Sequence, residues 1–278
     1  MIHGEAKDWA EMLEVPHVAA LNEMIVKGKI DDLIRVNEAL HEKKIAYIAD
    51  MISRNPSIRV VLIAGPSSSG KTTFAQRLLI QLRVIGRRPV SISLDNYFIE
   101  RELTPLDEEG NYDFDSLDAL NLELFNDHLS RLVKGEEVEV PIYNFKTGCS
   151  EECGIKMKVP PGEVIILEGI HALNDRLTWS IPPANKFKIY ISALTQLNVD
   201  YSNRIPTTDT RLLRRIVRDN RTRGNTALQT IRQWPSVRRG EEKNIFPFQE
   251  SADVMFNSSL VYELAVLKMY VEPLLECI

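Results

Sequence analysis

Apolar residues along the chain form short continuous runs that alternate with longer stretches of helical spacing. The run at 58–64 is β-branched and almost wholly apolar, which is typical of a strand buried on both faces of a parallel sheet. Residues 72–85 then place apolar side chains three and four apart, and Gly86 ends this predicted helix. Further short runs lie at 90–94, 164–167, 187–191 and 254–256. The pattern predicts an α/β fold with a doubly wound parallel sheet.

Three segments depart from this alternation. Residues 1–55 lack strand-like runs and predict a helical N-terminal extension, which ends at Pro56 because proline biases the preceding residue away from helix. We therefore divide the chain into this extension and a main domain at 56–278. Residues 138–159 alternate between apolar and polar positions, which predicts a small accessory β-hairpin. Residues 207–224 are arginine-rich and helical in pattern.

The composition limits the classes of function. A net charge of −5 and a pI near 5.7 argue against general binding to nucleic acid or anionic membranes, which needs a basic surface. No run approaches the roughly 18 apolar residues of a membrane span, and the first ten residues lack a signal-peptide core. Three cysteines without a framework are typical of a reducing compartment. We expect a cytoplasmic protein with a local anion site, and whether it forms a homo-oligomer stays open.

Residues 65–72 have the sequence Gly-Pro-Ser-Ser-Ser-Gly-Lys-Thr, which matches the phosphate-binding motif G-x-x-x-x-G-K-[ST]. The motif lies between a predicted strand and a predicted helix, as its function requires. Loop N–H groups and the helix N-terminus can hold phosphates, Lys71 can reach the β and γ phosphates, and Thr72 can ligate Mg²⁺. The predicted ATP-binding residues of this loop are Gly65, Ser67, Ser68, Ser69, Gly70, Lys71, Thr72 and Thr73.

Two carboxylates follow predicted strands. Asp95 comes directly after the run at 90–94, and Glu168 after the run at 164–167. In an open α/β sheet, ligands bind beyond the carboxyl ends of the strands. Phosphoryl transfer needs one group that orients or deprotonates the attacking hydroxyl and another that holds the metal. Asp95 suits the first task and Glu168 the second, although either acid could instead cap a following helix or turn.

Arginines are concentrated in the predicted helix at 207–224. They are Arg211, Arg214, Arg215, Arg218, Arg221 and Arg223, and the first four share one helical face. Such a face repels itself unless anions neutralise it, which favours a mobile lid that grips the nucleotide triphosphate, with Arg218 acting in catalysis. Two alternatives remain: a solvated face paired to Asp209 and Asp219, or a contact with RNA.

In their order along the chain, these motifs resemble the uridine kinase and phosphoribulokinase family of P-loop kinases. The resemblance covers about 58–258 and also rests on 95–98, 112–115, 141–145, 168–170, 209–224 and 252–254. It implies that Asp95 is the base on a substrate 5′-hydroxyl, and that Thr72 and Glu168 serve Mg²⁺. It also implies that Arg215, Arg218 and Arg223 close on the phosphates.

The same resemblance implies a set of acceptor-binding residues. Tyr143 and Phe145 would approach a nucleoside, while His171 is similar to a phosphoribulokinase position, with a histidine bonded within the core as the alternative. The predicted acceptor-binding residues are Asp95, Tyr97, Phe98, Phe114, Tyr143, Phe145, His171 and Asn225.

Parts of the chain resemble a bacterial branch of this family. The branch resemblance rests on the N-terminal helices and on 234–241 and 248–250, and such members often carry an N-terminal part similar to threonyl-tRNA synthetase. Two positions depart from uridine and cytidine kinases. Gly148 replaces a histidine that reads the pyrimidine edge, and Asn225 replaces an arginine after the lid. The glycine is expected to leave room beside the base, so thymidine becomes as good a candidate as uridine.

The combined prediction is an ATP-dependent kinase that transfers the γ-phosphate to the 5′-hydroxyl of a pyrimidine nucleoside, namely thymidine, uridine or cytidine. Two alternatives stay open: a kinase of a sugar phosphate or other small metabolite, and a nucleotide-operated regulatory NTPase. Tyr143 and Phe145 favour a nucleoside, since a sugar phosphate would call for more arginines in the acceptor pocket. Asp95 and the accessory hairpin favour an acceptor substrate over a hydrolytic switch.

Overall fold

A five-stranded parallel sheet forms the centre of the protein. The computed structural model describes residues 9–107, 109–110 and 112–278. The strands are β1 (Val60–Ala64), β2 (Val90–Ser93), β3 (Glu137–Val140), β4 (Tyr143–Asn144), β5 (Cys149–Ser150), β6 (Ile155–Lys158), β7 (Ile165–Glu168), β8 (Lys186–Ser192) and β9 (Val254–Asn257). The central sheet has the order β2-β7-β1-β8-β9, with every neighbouring pair parallel. The predicted α/β class and parallel sheet are confirmed.

Helices cover both faces of this sheet. They are α1 (Val18–Val26), α2 (Ile30–Arg54), α3 (Lys71–Val84), α4 (Leu122–Val133), α5 (Thr207–Arg223), α6 (Ala227–Asn244) and α7 (Glu263–Leu275). Successive β1 side chains point to opposite faces, so Leu62 packs with Phe125 of α4 while Ile63 packs with Leu78 of α3. Burial on both faces explains why β1 is apolar throughout. Among the described residues, no helix combines the length and apolar character that crossing a membrane requires.

The N-terminal helices are as predicted in type, and α2 contributes to the core of the sheet domain. Ile45, Ile48 and Ile52 are at most 4% exposed and belong to the same hydrophobic cluster as β1 and α3. At the surface, Arg77 of α3 donates from Nε to Glu42 of α2 over 2.6 Å. The domain boundary after residue 55 remains a prediction.

The accessory hairpin consists of two short antiparallel ladders. Strand β3 pairs with β6, and β4 pairs with β5 within the loop between them. The outer ladder buries Val138 and Val140 on the main core, because alternate residues of a strand face the same side. This places the connection at 145–148 beside the carboxyl end of β2. Arg101 donates hydrogen bonds to two carbonyl oxygens of this connection, those of Phe145 and Gly148.

Strands β2, β7 and β1 lie next to one another and end at the same edge of the sheet. Glu168, the last residue of β7, is in register with Ser93 of β2 on one side and with Ile63 of β1 on the other. The phosphate loop follows β1, and Asp95 follows β2. The topology therefore brings the loop and both candidate carboxylates together, as ligand binding at the carboxyl ends of strands requires.

Ile52→Ala should lower the free energy of unfolding of the whole protein by about 2–5 kcal/mol, because it leaves a cavity between α2 and the sheet. Ile52 is 1% exposed, whereas Val26 is 86% exposed and provides the control as Val26→Ala. Urea unfolding, followed by fluorescence, measures both. If both variants lowered the free energy of unfolding by the same small amount, this would contradict a core shared by α2 and the sheet.

Candidate active site

Glycines shape the phosphate loop where other residues would clash. A Cβ added at Gly65 would lie 2.2 Å from the carbonyl oxygen of Ile191 in the neighbouring strand. Gly70 is the last residue of the loop before α3 begins, and it has a φ of +88°. Glycine adopts this left-handed conformation without steric penalty. The loop thus turns directly from strand into helix, and the unpaired N–H groups of the helix N-terminus face an incoming anion.

Lys71 lies at the centre of this loop. Its Nζ donates hydrogen bonds to the carbonyl oxygens of Gly65 and Pro66 at 2.8 and 3.1 Å. Burial lowers the pKa of Lys71 to about 8, although the carboxylates of Glu168 and Asp95 raise it in part. Lys71 is therefore protonated below that pH and can exchange backbone carbonyls for phosphate oxygens.

Thr72 and Glu168 form the candidate magnesium site. The Thr72 hydroxyl donates to Glu168 Oε1 over 2.9 Å, so these two oxygens lie next to each other. Burial raises the pKa of Glu168, and Lys71 counteracts this shift. The described residues contain no cluster of three or more His, Cys, Asp or Glu side chains that could hold a metal. A hydroxyl and one carboxylate fit Mg²⁺, which usually takes few protein oxygens and completes its shell with phosphates and water.

Asp95 stands at the start of a 3₁₀ turn directly after β2. Its N–H donates to the Ser93 hydroxyl over 3.3 Å, which caps the turn and points the strand end toward the loop. Burial within the cleft raises the pKa of the Asp95 carboxyl, while Lys71 and Arg223 lower it in part. A carboxylate with a raised pKa and an open side toward the cavity can accept a proton from an acceptor hydroxyl.

A cavity of about 590 Å³ joins these groups. Its walls include Ser67, Lys71, Thr72, Asp95, Glu168, Arg215, Arg218 and Arg223. A second cavity, of about 740 Å³, lies between α2 and β9 and contains none of the predicted site residues. The predicted catalytic residues therefore converge on the smaller cavity, which has residues of the phosphate loop and both carboxylates in its wall.

Five of the six arginines of α5 divide into two groups, and the sixth, Arg221, is exposed. Arg215, Arg218 and Arg223 line the cavity and surround Asp219, which is fully buried and lies 3.1, 2.7 and 3.7 Å from them. Burial lowers the pKa values of Arg215 and Arg223. Charge neutralisation by Asp219 allows these three cations to lie close together.

Arg211 and Arg214 pair with carboxylates of the chain instead of facing the cavity. Arg211 forms a bidentate pair with Glu241, and Arg214 Nε donates to Glu263 over 2.9 Å. Both guanidinium groups also reach the phosphate loop, where they donate to the carbonyl oxygens of Ser67 and Ser68 at 3.1 and 3.3 Å. Helix α5 is thereby fixed on the loop through two of the six arginines.

An aromatic cluster forms the acceptor side of the cavity. Phe98 lies at its centre, with ring centroids 6.2 Å from Phe114, 5.5 Å from Tyr143 and 5.7 Å from Phe145. Phe98, Phe114 and Phe145 line the cavity, and Tyr143 packs behind Phe145 at 5.0 Å. The hairpin therefore supplies an aromatic face, Phe145, that is 55% exposed and open to a ligand.

The structure does not bring Tyr97 or Asn225 to the cavity wall. Tyr97 is 1% exposed, and its hydroxyl lies 3.2 Å from His128 Nδ1 in the core, because the 3₁₀ turn directs it away from Asp95. Asn225 follows the end of α5, where its N–H donates to Asp219 O. His171 lines the cavity at 4% exposure, and burial lowers its pKa to about 4. Its ring nitrogens lie near the backbone of Asp115 and Ser116, outside hydrogen-bond geometry.

The room expected beside Gly148 is filled. Arg101 lies across this glycine, so that a Cβ added there would be 2.8 Å from both Cβ and Nε of Arg101. Arg101 donates from Nη2 to Phe145 O over 2.6 Å, and its N–H donates to Gly148 O over 2.8 Å. The glycine thus allows Arg101 to pack against the hairpin and bond to it. The prediction that Gly148 leaves room beside the base was wrong.

Other cavity residues were not selected from the sequence. Asp113 and Asp115 line the acceptor side, and burial, with the nearby charge of Asp113, raises the pKa of Asp115 to about 6. Gln233 and Ser236 of α6 also line the cavity. The two aspartates lie within the family motif at 112–115 and could have been chosen from it, whereas α6 carried no comparable chemical pattern.

Comparison with known proteins identifies relatives over most of the chain. The model of the phosphoribulokinase/uridine kinase family matches residues 60–265. A uridine kinase from Halobacterium salinarum is 30% identical over 69% of this chain and 77% of its own length. Uridine kinase-like protein 5 from Arabidopsis thaliana is 31% identical over 70% of this chain, which spans only 38% of that relative.

A solved structure is similar in fold. It is described as a possible uridine kinase from Bacillus stearothermophilus and superposes with a TM-score of 0.51 at 19% identity, covering 77% of this chain and 98% of that one. The reaction class follows from the family match and the curated relatives, together with the phosphate loop, the carboxylates at the strand ends and the arginines of α5. The chain belongs to the phosphoribulokinase/uridine kinase family and is an ATP-dependent kinase that transfers phosphate to an alcohol acceptor.

Proposed function

We propose that this kinase transfers the γ-phosphate of ATP to the 5′-hydroxyl of a pyrimidine nucleoside. The observation that carries the proposal is the chemistry of the acceptor side, which is aromatic and acidic. Phe98, Phe114 and Phe145 offer faces on which a base can stack. The relatives named as uridine kinases support the same substrate class.

The distribution of charge disfavours a phosphorylated acceptor. Within the described residues, every lysine and arginine that lines the cavity comes from the phosphate loop or α5: Lys71, Arg215, Arg218 and Arg223. The acceptor side instead contributes Asp107, Asp113 and Asp115. A sugar phosphate would bring a second phosphate beside these carboxylates, where like charges repel. A neutral nucleoside avoids that repulsion.

Asp115 has the properties of a group that binds sugar hydroxyls. Its carboxyl has a pKa of about 6, so it is ionised at neutral pH and accepts hydrogen bonds only. A nucleoside ribose or deoxyribose offers hydroxyl donors, and hydrogen bonds to a charged acceptor are stronger than neutral ones. Stacking of the base and anchoring of the sugar would together direct the 5′-hydroxyl toward Asp95.

The transfer itself would proceed by direct attack. The acceptor oxygen forms a bond to the γ-phosphorus, the bond from that phosphorus to the β,γ-bridging oxygen breaks, and ADP leaves. Asp95 receives the hydroxyl proton, while Lys71 and Arg218 stabilise negative charge on the transferring group. Thr72 and Glu168 would hold Mg²⁺, which when bound with ATP shields the charge of the phosphates.

The proposal also includes a cytoplasmic location. Cys149, Cys153 and Cys277 are free and exposed. Exposed free thiols are typical of a reducing compartment, which is also where ATP and salvaged nucleosides meet a kinase.

A panel of acceptors tests the substrate class. ADP release should be stimulated by thymidine, uridine, deoxyuridine or cytidine, and it should stay at the no-acceptor background with ribulose 5-phosphate. A kinetic assay coupled to ADP formation measures all of them with the same enzyme stock. Turnover of the sugar phosphate alone would overturn the proposal, and equal ADP release without any acceptor would favour a regulatory NTPase.

Asp95→Asn should lower kcat by about 10²–10⁴ on every nucleoside that is a substrate, because the amide cannot accept the hydroxyl proton. ATP binding should persist, since the phosphate loop is unchanged. Asp118→Asn is the matched control, because Asp118 is exposed and pairs with Arg176 at the surface. A loss smaller than about tenfold in Asp95→Asn would remove Asp95 from the chemical step.

ATP affinity should fall as the pH rises through about 8. The pKa of Lys71 is lowered to about 8, so the lysine loses its positive charge above that pH and attracts phosphate less. Titration calorimetry between about pH 6 and pH 9.5 gives the dissociation constants, and Lys71→Arg, which stays charged in this range, should bind more weakly without the decline. An affinity of the unmodified protein that stays constant to pH 9.5 would contradict a role for the Lys71 charge.

A further inference from the structure

Helix α6 places a buried carboxylate against the phosphate loop. Glu241 is 2% exposed, and its Oε1 accepts a hydrogen bond from the Ser67 N–H over 2.9 Å. Arg211 forms the bidentate pair with the same carboxylate, and Arg238 donates to its Oε2 over 3.0 Å. All of these donors converge on one side chain that the transfer mechanism does not use.

Glu241 and Arg211 hold the backbone of Ser67 on both sides of its Cα atom. Its N–H donates to Glu241, and its carbonyl oxygen accepts from Arg211 Nη1 over 3.1 Å. The Ser67 hydroxyl accepts from Arg215 over 2.7 Å. Glu241 and Arg211 therefore close a ring of hydrogen bonds around a single residue of the loop, and neither faces the bulk solvent.

The loop needs such support. Ser68 has a φ of +58°, a left-handed conformation that costs a non-glycine residue free energy and persists only when the surroundings enforce it. The Ser68 N–H follows directly after the Ser67 carbonyl that Arg211 holds. Because the next N–H groups of the loop must point at phosphate oxygens, a fixed Ser67 peptide fixes the direction of those donors.

The same helix contacts the acceptor side. Gln233 and Ser236, earlier in α6, line the cavity. Gly240 lies so close to Asp115 that a Cβ added there would be 2.6 Å from Asp115 Oδ2. One rigid helix thus contacts the loop through Glu241 and the acceptor wall through Gly240, and fixes the separation of the two.

We propose that Glu241 is a positioning residue of the phosphate loop: through Ser67 and Arg211 it holds the loop in the conformation that binds the triphosphate, at a fixed distance from the acceptor side. The inference rests on the ATP-binding role of the loop and is independent of which acceptor is phosphorylated. Glu241 lines the same cavity at 2% exposure, and in this scheme it acts through Ser67 and Arg211 and not on the reacting atoms.

The test must distinguish a role of Glu241 in positioning the loop from a role in the stability of the fold alone. Glu241→Ala alone is a poor test, because it would leave the buried Arg211 guanidinium with neither a counter-charge nor a side-chain acceptor at this position, whereas Gln keeps an acceptor oxygen there. The double variant Arg211→Met/Glu241→Met removes both buried charges together, and such replacements often leave stability unchanged. It also removes both hydrogen bonds to the Ser67 peptide.

The experiment compares this double variant with Glu241→Gln, Glu242→Gln and the unmodified protein. Glu242 is exposed and pairs with Arg238 but not with the loop, so its variant is the matched control. Thermal unfolding reports the fold, titration with ATP in the absence of any acceptor reports the loop, and kcat with a saturating acceptor reports turnover. Failure of the unmodified protein to bind ATP would refute the kinase assignment separately.

We expect the folded double variant to bind ATP about tenfold or more weakly, because it loses both hydrogen bonds that hold the Ser67 backbone and each such bond contributes roughly two- to tenfold. Glu241→Gln should show a smaller loss, because its amide oxygen still accepts from the Ser67 N–H. Glu242→Gln should match the unmodified protein. If the double variant does not fold, weaker ATP binding by Glu241→Gln at an unchanged melting temperature supports the proposal.

Three results would overturn it. A folded double variant with unchanged ATP affinity would show that the pair serves stability only. If the double variant does not fold and a folded Glu241→Gln variant binds ATP with unchanged affinity, the pair again serves stability only. Loss of the fold in both variants would assign Glu241 to the stability of the whole domain instead of the loop.

Discussion

Neutralisation of the arginines on α5 is the interaction on which the active site depends. Six cations within one helix would repel one another without counter-charges. Buried carboxylates compensate five of them in place: Asp219 for the three that line the cavity, Glu241 for Arg211 and Glu263 for Arg214. Because these pairs also hold loop carbonyls, charge compensation and the shape of the phosphate loop are established by the same contacts.

The order of the strands explains why so few residues suffice for the chemistry. Because β7 lies between β1 and β2, the carboxyl ends of the three strands are neighbours. The phosphate loop follows β1, Glu168 ends β7 and Asp95 follows β2. The accessory hairpin and the segment at 112–115 then cover this edge with aromatic and acidic side chains. The fold thereby separates a cationic phosphate side from an acidic acceptor side within one cavity, and an uncharged acceptor matches that separation.

The sequence predicted the parts of this arrangement that local patterns encode. Apolar runs gave the strands, the glycine spacing gave the loop, and position after a strand selected Asp95 and Glu168, which the structure brings to one cavity. Contacts between segments distant in sequence could not be predicted in this way. Arg101 fills the space at Gly148 from 47 positions away, and Glu241 reaches Ser67 across the site. Tyr97 turns into the core because a 3₁₀ turn, which has no clear sequence signature, sets its direction.

Burial acts in opposite directions on the charged groups of the site, and nucleotide binding would change that balance. Desolvation lowers the pKa of Lys71 and raises the pKa values of Asp95 and Glu168, so burial disfavours the charged form of all three groups. An arriving triphosphate favours the protonated lysine and raises the pKa of Asp95 further, which makes the carboxylate a stronger base. Arg218 and Arg223 oppose the second shift, because their positive charges lower the pKa of Asp95. The positive charges of these two arginines would therefore favour the ionised form of Asp95 beside a bound nucleotide.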